Sequence, residues 1–187
     1  SIYELDGPEA LRELAFCRYI PFVVAWGKLY KKELFDQVRF PVGKIHEDEY
    51  VAHQLIYKAR KVVYTEEPLL YYWQRSDSIT GKDFDVTYRL HVGDAFMNRA
   101  AFYAAIGMPE CRDKVYRDAF MIYRDVFSRG KTGLPDRQSL YRVLKTRLRE
   151  GHYSIRFKLY YELFFICPPM IGLFDRFYQG WKHRRGQ

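Results

Sequence analysis

Beyond residue 85 the chain repeats apolar side chains at helical spacing almost to its end, and this pattern limits the fold more than any motif does. The spacing predicts a helix over 86–106 that ends near Gly107. A second, over about 111–128, puts Val115, Ala119, Ile122 and Val126 on one stripe and stops at Gly130. A third starts at Pro135 and Asp136 with Leu140, Val143, Leu144 and Leu148 inward. The last, Tyr153 to Ile166, is apolar nearly all round and is broken by Pro168 and Pro169.

The first 82 residues read differently. Asp6 caps a helix that carries Pro8 in its first turn and Leu11, Leu14 and Ala15 at helical offsets, ending before Pro21. An apolar run, FVVAWGKLY, is followed by a short amphipathic turn in KKELFDQVRF, and FPVG breaks the chain. HEDEYVAHQLIYKAR has Tyr50, Leu55, Ile56 and Ala59 at helical spacing, which places an acidic cluster at a helix start. Two β-rich runs come next, Val62 to Thr65 and Leu69 to Gln74, separated by Glu66, Glu67 and Pro68, and SDSITGKD reads as a loop. The fold class is therefore α+β and predominantly helical. Residues 1–82 form an α/β portion with a short strand pair, and 83–187 an all-helical, bundle-like portion.

At 48% hydrophobic and 29% charged the chain has the composition of a folded protein. A net charge of +8, weighted toward the C-terminal end, suits an anionic partner or a solvated basic face. Helices such as RDKVYRDAFMIYRD mix both signs, which argues against a nucleic-acid-binding face. The three cysteines, Cys17, Cys111 and Cys167, form no CxxC pair and no zinc site, and fit buried free thiols in a reducing, cytoplasmic compartment. No signal peptide is recognisable, and LFFICPPMIGLF, the most apolar stretch, is split by two prolines.

The candidate chemistry centres on GKIHEDEY, residues 43–50, where His46, Glu47, Asp48 and Glu49 crowd together between apolar stretches. Adjacent carboxylates repel and need solvation, so they either sit in water at a helix end, favoured by its dipole, or line a polar cleft. Glu49 and His53 share a helical face and are a weak candidate metal pair. A carboxylate that accepts a proton, combined with Arg75, Ser76, Ser78 and Thr80 in the loop after the second β-run, would suit group transfer from a phosphate-bearing donor.

Residues 25–80 carry AWGKLY, then RFPVGKIHED, then LLYYWQRSDSIT, and in this combination they resemble the second half of the catalytic domain of bacterial family 2 glycosyltransferases. Gly27 stands where that family has Asn, and Trp73 where it has Arg. The resemblance implies the acceptor side of a GT-A fold, with Asp48 as the general base that deprotonates the incoming sugar hydroxyl and Glu47 beside it. It implies that Arg75 and the loop with Ser78 close over the donor diphosphate, and that Trp26, Lys28 and His46 lie near the acceptor. The family's VSVIIPxYN-like start does not occur here, and neither does an Asp-x-Asp that follows an apolar strand. The resemblance therefore implies a C-terminal portion of a longer inverting enzyme, inactive by itself. The longer enzyme would use a nucleotide-sugar donor, a glycan or lipid-linked acceptor, and a divalent metal, Mg or Mn, that this portion does not hold.

Aromatic and aliphatic residues from Tyr153 onward, with Lys182, His183, Arg184 and Arg185 after them, suit either a membrane interface at the inner face or simple packing of a helical core. A non-catalytic helical module that binds a membrane surface, a protein or nucleic acid is the alternative function class.

Overall fold

The structure, a computed structural model, describes residues 1–17, 19–73, 85–129 and 136–167. Strand β1 (Ile2–Asp6) runs directly into helix α1 (Gly7–Arg12), which loosens into a wider π-type turn over Glu13–Cys17. The start of α1 is fixed reciprocally. The Glu9 amide donates to Asp6 Oδ1 at 2.7 Å and the Asp6 amide to Glu9 Oε2 at 2.9 Å, which satisfies two amides that the first turn leaves without helical partners. Helix α2 (Tyr19–Val23) carries Pro21 inside its single turn, where the missing amide hydrogen costs little.

A 3-10 turn at Lys32–Phe35 leads through an extended stretch to a second one at Glu47–Tyr50, then to α3 (Ala52–Ala59) and β2 (Lys61–Thr65). Strand β2 pairs antiparallel with β1, Ile2 opposite Thr65 and Asp6 opposite Lys61, to make a two-stranded sheet. The predicted partner of β2 was the run from Leu69; instead 69–73 are irregular and carry exposed Leu69, Leu70, Tyr71, Tyr72 and Trp73. A run of β-branched and aromatic residues fits a pleated surface, yet it becomes a strand only where it pairs with a neighbour, and β2 pairs with β1 instead.

The helical portion tracks the periodicity closely, as α4 (Val86–Ala105), α5 (Pro109–Arg129), α6 (Arg137–Arg149) and α7 (Ile155–Ile166). Asp85, Asp136 and Ser154 cap α4, α6 and α7 through their side chains. Of the residues expected inward on α6, Leu144 and Leu148 are fully buried and Leu140 half-buried, but Val143 is 49% exposed. The sequence resumes its i, i+4 spacing without Val143, so the stripe is narrower than expected. Helix α7 packs through Tyr161 and Phe164 and leaves Ile155, Leu159 and Ile166 in solvent. The remainder of the 153–187 aromatic segment, from residue 168, lies outside the described residues. Among the described residues no helix is long and apolar enough to cross a membrane.

One buried cluster crosses the change of character near residue 82, because Leu11 and Leu14 of the α1 region meet Phe96, Ala100 and Tyr103 of α4, and Tyr103 donates its hydroxyl hydrogen to the Leu11 carbonyl at 3.0 Å. Phe120 of α5 forms the far end, in edge contact with Phe157, Tyr161 and Phe164 of the α7 region. Helices α4 and α5 pack tightly at Gly93, where an added Cβ would lie 2.7 Å from Cζ of the buried Tyr123 ring. Gly93→Ala should lower stability by about 1–2 kcal/mol in urea unfolding, since the overpacking cost exceeds the roughly 1 kcal/mol of helix propensity gained. Adding Tyr123→Leu to Gly93→Ala should recover part of that loss; no loss at all would mean the two helices separate freely there.

Candidate active site

The acidic segment is not the first turn of α3. His46 adopts a left-handed conformation (φ 59, ψ 49), Glu47–Tyr50 make a separate 3-10 turn, and Val51 (φ −119) interrupts the path before α3 begins. The carboxylates are thus held by more than a helix dipole. Gly43, at φ +76, turns the chain so that the next residues meet α4 one after another. Lys44 pairs with Asp94 at 2.9 Å, the Ile45 amide donates to His91 Nδ1 at 3.0 Å, and the His46 ring stands edge-on to Tyr88 with centroids 4.1 Å apart. The Tyr50 hydroxyl lies 2.9 Å from both the His91 carbonyl and Asp94 Oδ2, and burial together with that bond raises its pKa.

Glu49 turns inward, 5% exposed, and its carboxylate and carbonyl both accept from Arg99, itself 1% exposed and lying over the Phe96 ring. His53 is buried behind it against Phe102, and burial, then the Arg99 guanidinium, pushes its pKa down to about 3. Glu49 and His53 are therefore a core pair. No group of three His, Cys, Asp or Glu that could hold a metal converges among the described residues.

That leaves Asp48 and Glu47 facing outward. Glu47 is exposed; Asp48 is half-buried and its Oδ1 accepts the Glu49 amide at 3.0 Å, which fixes its rotamer. Lys28 and Tyr30 come within charge range of it from the segment after α2. Burial lowers the Lys28 ammonium to about 8 against the opposing pull of Asp48, and burial first, then Asp48, pushes the Tyr30 hydroxyl up to about 12. The Lys28 ammonium also donates to the Val24 carbonyl. Burial lowers the His46 pKa, although Glu49, Asp48 and Glu47 oppose this, and its Nε2 is buried without a hydrogen-bond partner. Trp26 stacks on Tyr72.

Of the residues nominated from sequence, the fold gathers Lys28, His46, Glu47 and Asp48 and sets Trp26 close by in the chain; Arg75 and Ser78 lie outside the described residues. Sequence reasoning missed Tyr30, Tyr72, Tyr88, His91 and Arg99. Arg99 had a signal: it sits on the apolar stripe of α4 with Ala95, Phe96, Ala100 and Tyr103, and a guanidinium there demands a buried acceptor.

The His91 clasp gives a direct test. His91→Leu removes the acceptor for the Ile45 amide and should speed hydrogen exchange there at a cost of about 1 kcal/mol, whereas His91→Asn, with Oδ1 near the Nδ1 position, should largely restore protection. Unchanged exchange in the leucine variant would show that the loop is held without this bond.

A half-buried carboxylate fixed by its own turn, flanked by an ammonium and a phenol, is an arrangement suited to taking a proton from a hydroxyl. The proteins this chain resembles are glycosyltransferases. It is 34% identical over 110 residues to Glycosyltransferase GlyA of Streptococcus pneumoniae serotype 4, covering 58% of this chain and 16% of that protein. It is 31% identical over 87 residues to Glycosyltransferase GlyG of the same organism, covering 46% of this chain and 29% of that protein. The chain thus spans less than a third of either relative. No family model and no solved structure matches it.

Proposed function

We propose that this chain is the acceptor-side portion, with a helical extension, of a longer inverting family 2 glycosyltransferase with a GT-A fold. Asp48 takes the proton from an acceptor hydroxyl as that oxygen bonds to the anomeric carbon of a nucleotide-bound sugar; the bond from that carbon to the diphosphate breaks, and the nucleoside diphosphate leaves with its electron pair. Lys28, Tyr30 and His46 all lie within charge range of Asp48. Glu47, beside Asp48 and exposed, attracts cationic or hydroxyl-bearing groups to the mouth of the site. Arg75 and Ser78 meet the diphosphate, and a divalent metal, Mg or Mn, is held by the rest of the enzyme. Nucleotide sugars place this work in the cytoplasm, and the acceptor is a glycan or a lipid-linked saccharide.

The observation that supports the reading best is the separation of the two adjacent carboxylates: Glu49 is spent on Arg99 while Asp48 is held half-open opposite Lys28. Calorimetry on this chain alone should detect no micromolar binding of uridine or thymidine diphosphate sugars, and the longer enzyme should bind one of them. The anomeric configuration of its product, read by NMR, should be inverted. Retention of configuration, or tight donor binding by this chain alone, would overturn the proposal.

A further inference from the structure

We propose that the Trp26–Tyr72 stack is a platform for a pyranose ring of the acceptor, an inference that rests on the glycosyl-transfer reading and extends it past the attacking hydroxyl. The two rings lie nearly parallel, 10° apart with centroids separated by 4.9 Å, yet Trp26 remains 47% exposed and Tyr72 50% exposed. Aromatics that stack only to escape water end up covered, whereas these are paired and still wet. A half-exposed pair of stacked rings offers a flat apolar face that a ligand can cover.

The stack is also fixed from two directions. Trp26 precedes Gly27, whose φ of +68 turns the chain, and the Leu70 side chain reaches within 3.7 Å of the position a Cβ would take there. The platform therefore joins two segments far apart in sequence, which sets the ring plane before any ligand arrives. It also adjoins the chemistry, since Lys28, next but one to Trp26, bonds back to Val24 and faces Asp48. A pyranose presents a face of C–H bonds and a rim of hydroxyls. An indole face matches the first, and the charged groups beyond Lys28 match the second. A nucleobase would also stack on such a surface, so sugar and base must be told apart experimentally.

In the longer enzyme, Trp26→Ala and Tyr72→Ala should each raise KM for the acceptor about tenfold, leave KM for the donor unchanged and change kcat little, while Tyr72→Phe keeps the wild-type KM. A raised donor KM, or an unchanged acceptor KM, overturns the platform. Should the alanine variants misfold, a longer enzyme in which every other tryptophan, Trp73 and Trp181 included, is replaced by phenylalanine keeps Trp26 as its single tryptophan, whose fluorescence can be titrated. The probes are the methyl glycosides of glucose, galactose and N-acetylglucosamine, with uridine monophosphate as the base control. Saturable quenching by a glycoside supports the inference; quenching by the nucleotide alone, or by none of them, overturns it. Glycoside binding in an enzyme that transfers no sugar would sink the proposed function and leave the platform standing, and normal transfer with Trp26→Ala would do the reverse.

Discussion

Asp48→Asn in the longer enzyme is expected to lower kcat by roughly 10²–10⁴-fold, the usual contribution of a positioned general base, with donor affinity and melting temperature nearly unchanged. Asparagine keeps an oxygen where Asp48 Oδ1 accepts the Glu49 amide at 3.0 Å, so the 3-10 turn persists and only the ability to accept a proton is lost. The loss belongs to the transition state, so it appears in kcat and kcat/KM equally. Glu47→Gln separates the two outward carboxylates: its side chain is exposed and makes no hydrogen bond within the turn that Asp48 makes, so its effect should be much smaller. Full turnover in Asp48→Asn would remove Asp48 from the role. A collapse confined to Glu47→Gln would pass the role to Glu47.

How much of this was legible beforehand depends on the range of the interactions. The four long helices were read from local periodicity, and α4 ends within a residue of the position that Gly107 suggested, because caps and apolar stripes act over a few residues. Strand β1 was missed because nothing in IYELD marks a strand until Lys61–Thr65 lies beside it, with Tyr3 stacked on Tyr64 and Lys61 bonded to Glu4 at 2.6 Å. The acidic segment read as one helix with α3 because the apolar spacing is unbroken from Tyr50 to Ala59. The break is made by backbone conformation at His46 and Val51, which spacing does not record. Which carboxylate faces outward was equally hidden, since it is decided by an arginine fifty positions away on another helix.

That arginine carries the second large effect. Glu49 and Arg99 are both almost fully buried, and removing one partner strands the other's charge without water, at a cost of about 3–5 kcal/mol. Against a domain stability of about 5–15 kcal/mol, Glu49→Gln or Arg99→Met alone should leave the protein marginal, seen as a large fall in the urea midpoint. The double variant Glu49→Met/Arg99→Met should cost clearly less than the two single effects added, because no buried charge is left unpaired. It should not recover fully, since the hydrogen bond from Arg99 to the Glu49 carbonyl at 3.1 Å is lost. Additive single effects would show that the pair is not a coupled unit. Positions 48 and 49 are thus expected to fail in opposite ways, the first by losing chemistry in a stable fold and the second by losing the fold. A Glu49→Gln variant that keeps its midpoint but loses turnover would mean that Glu49, not Asp48, meets the substrate.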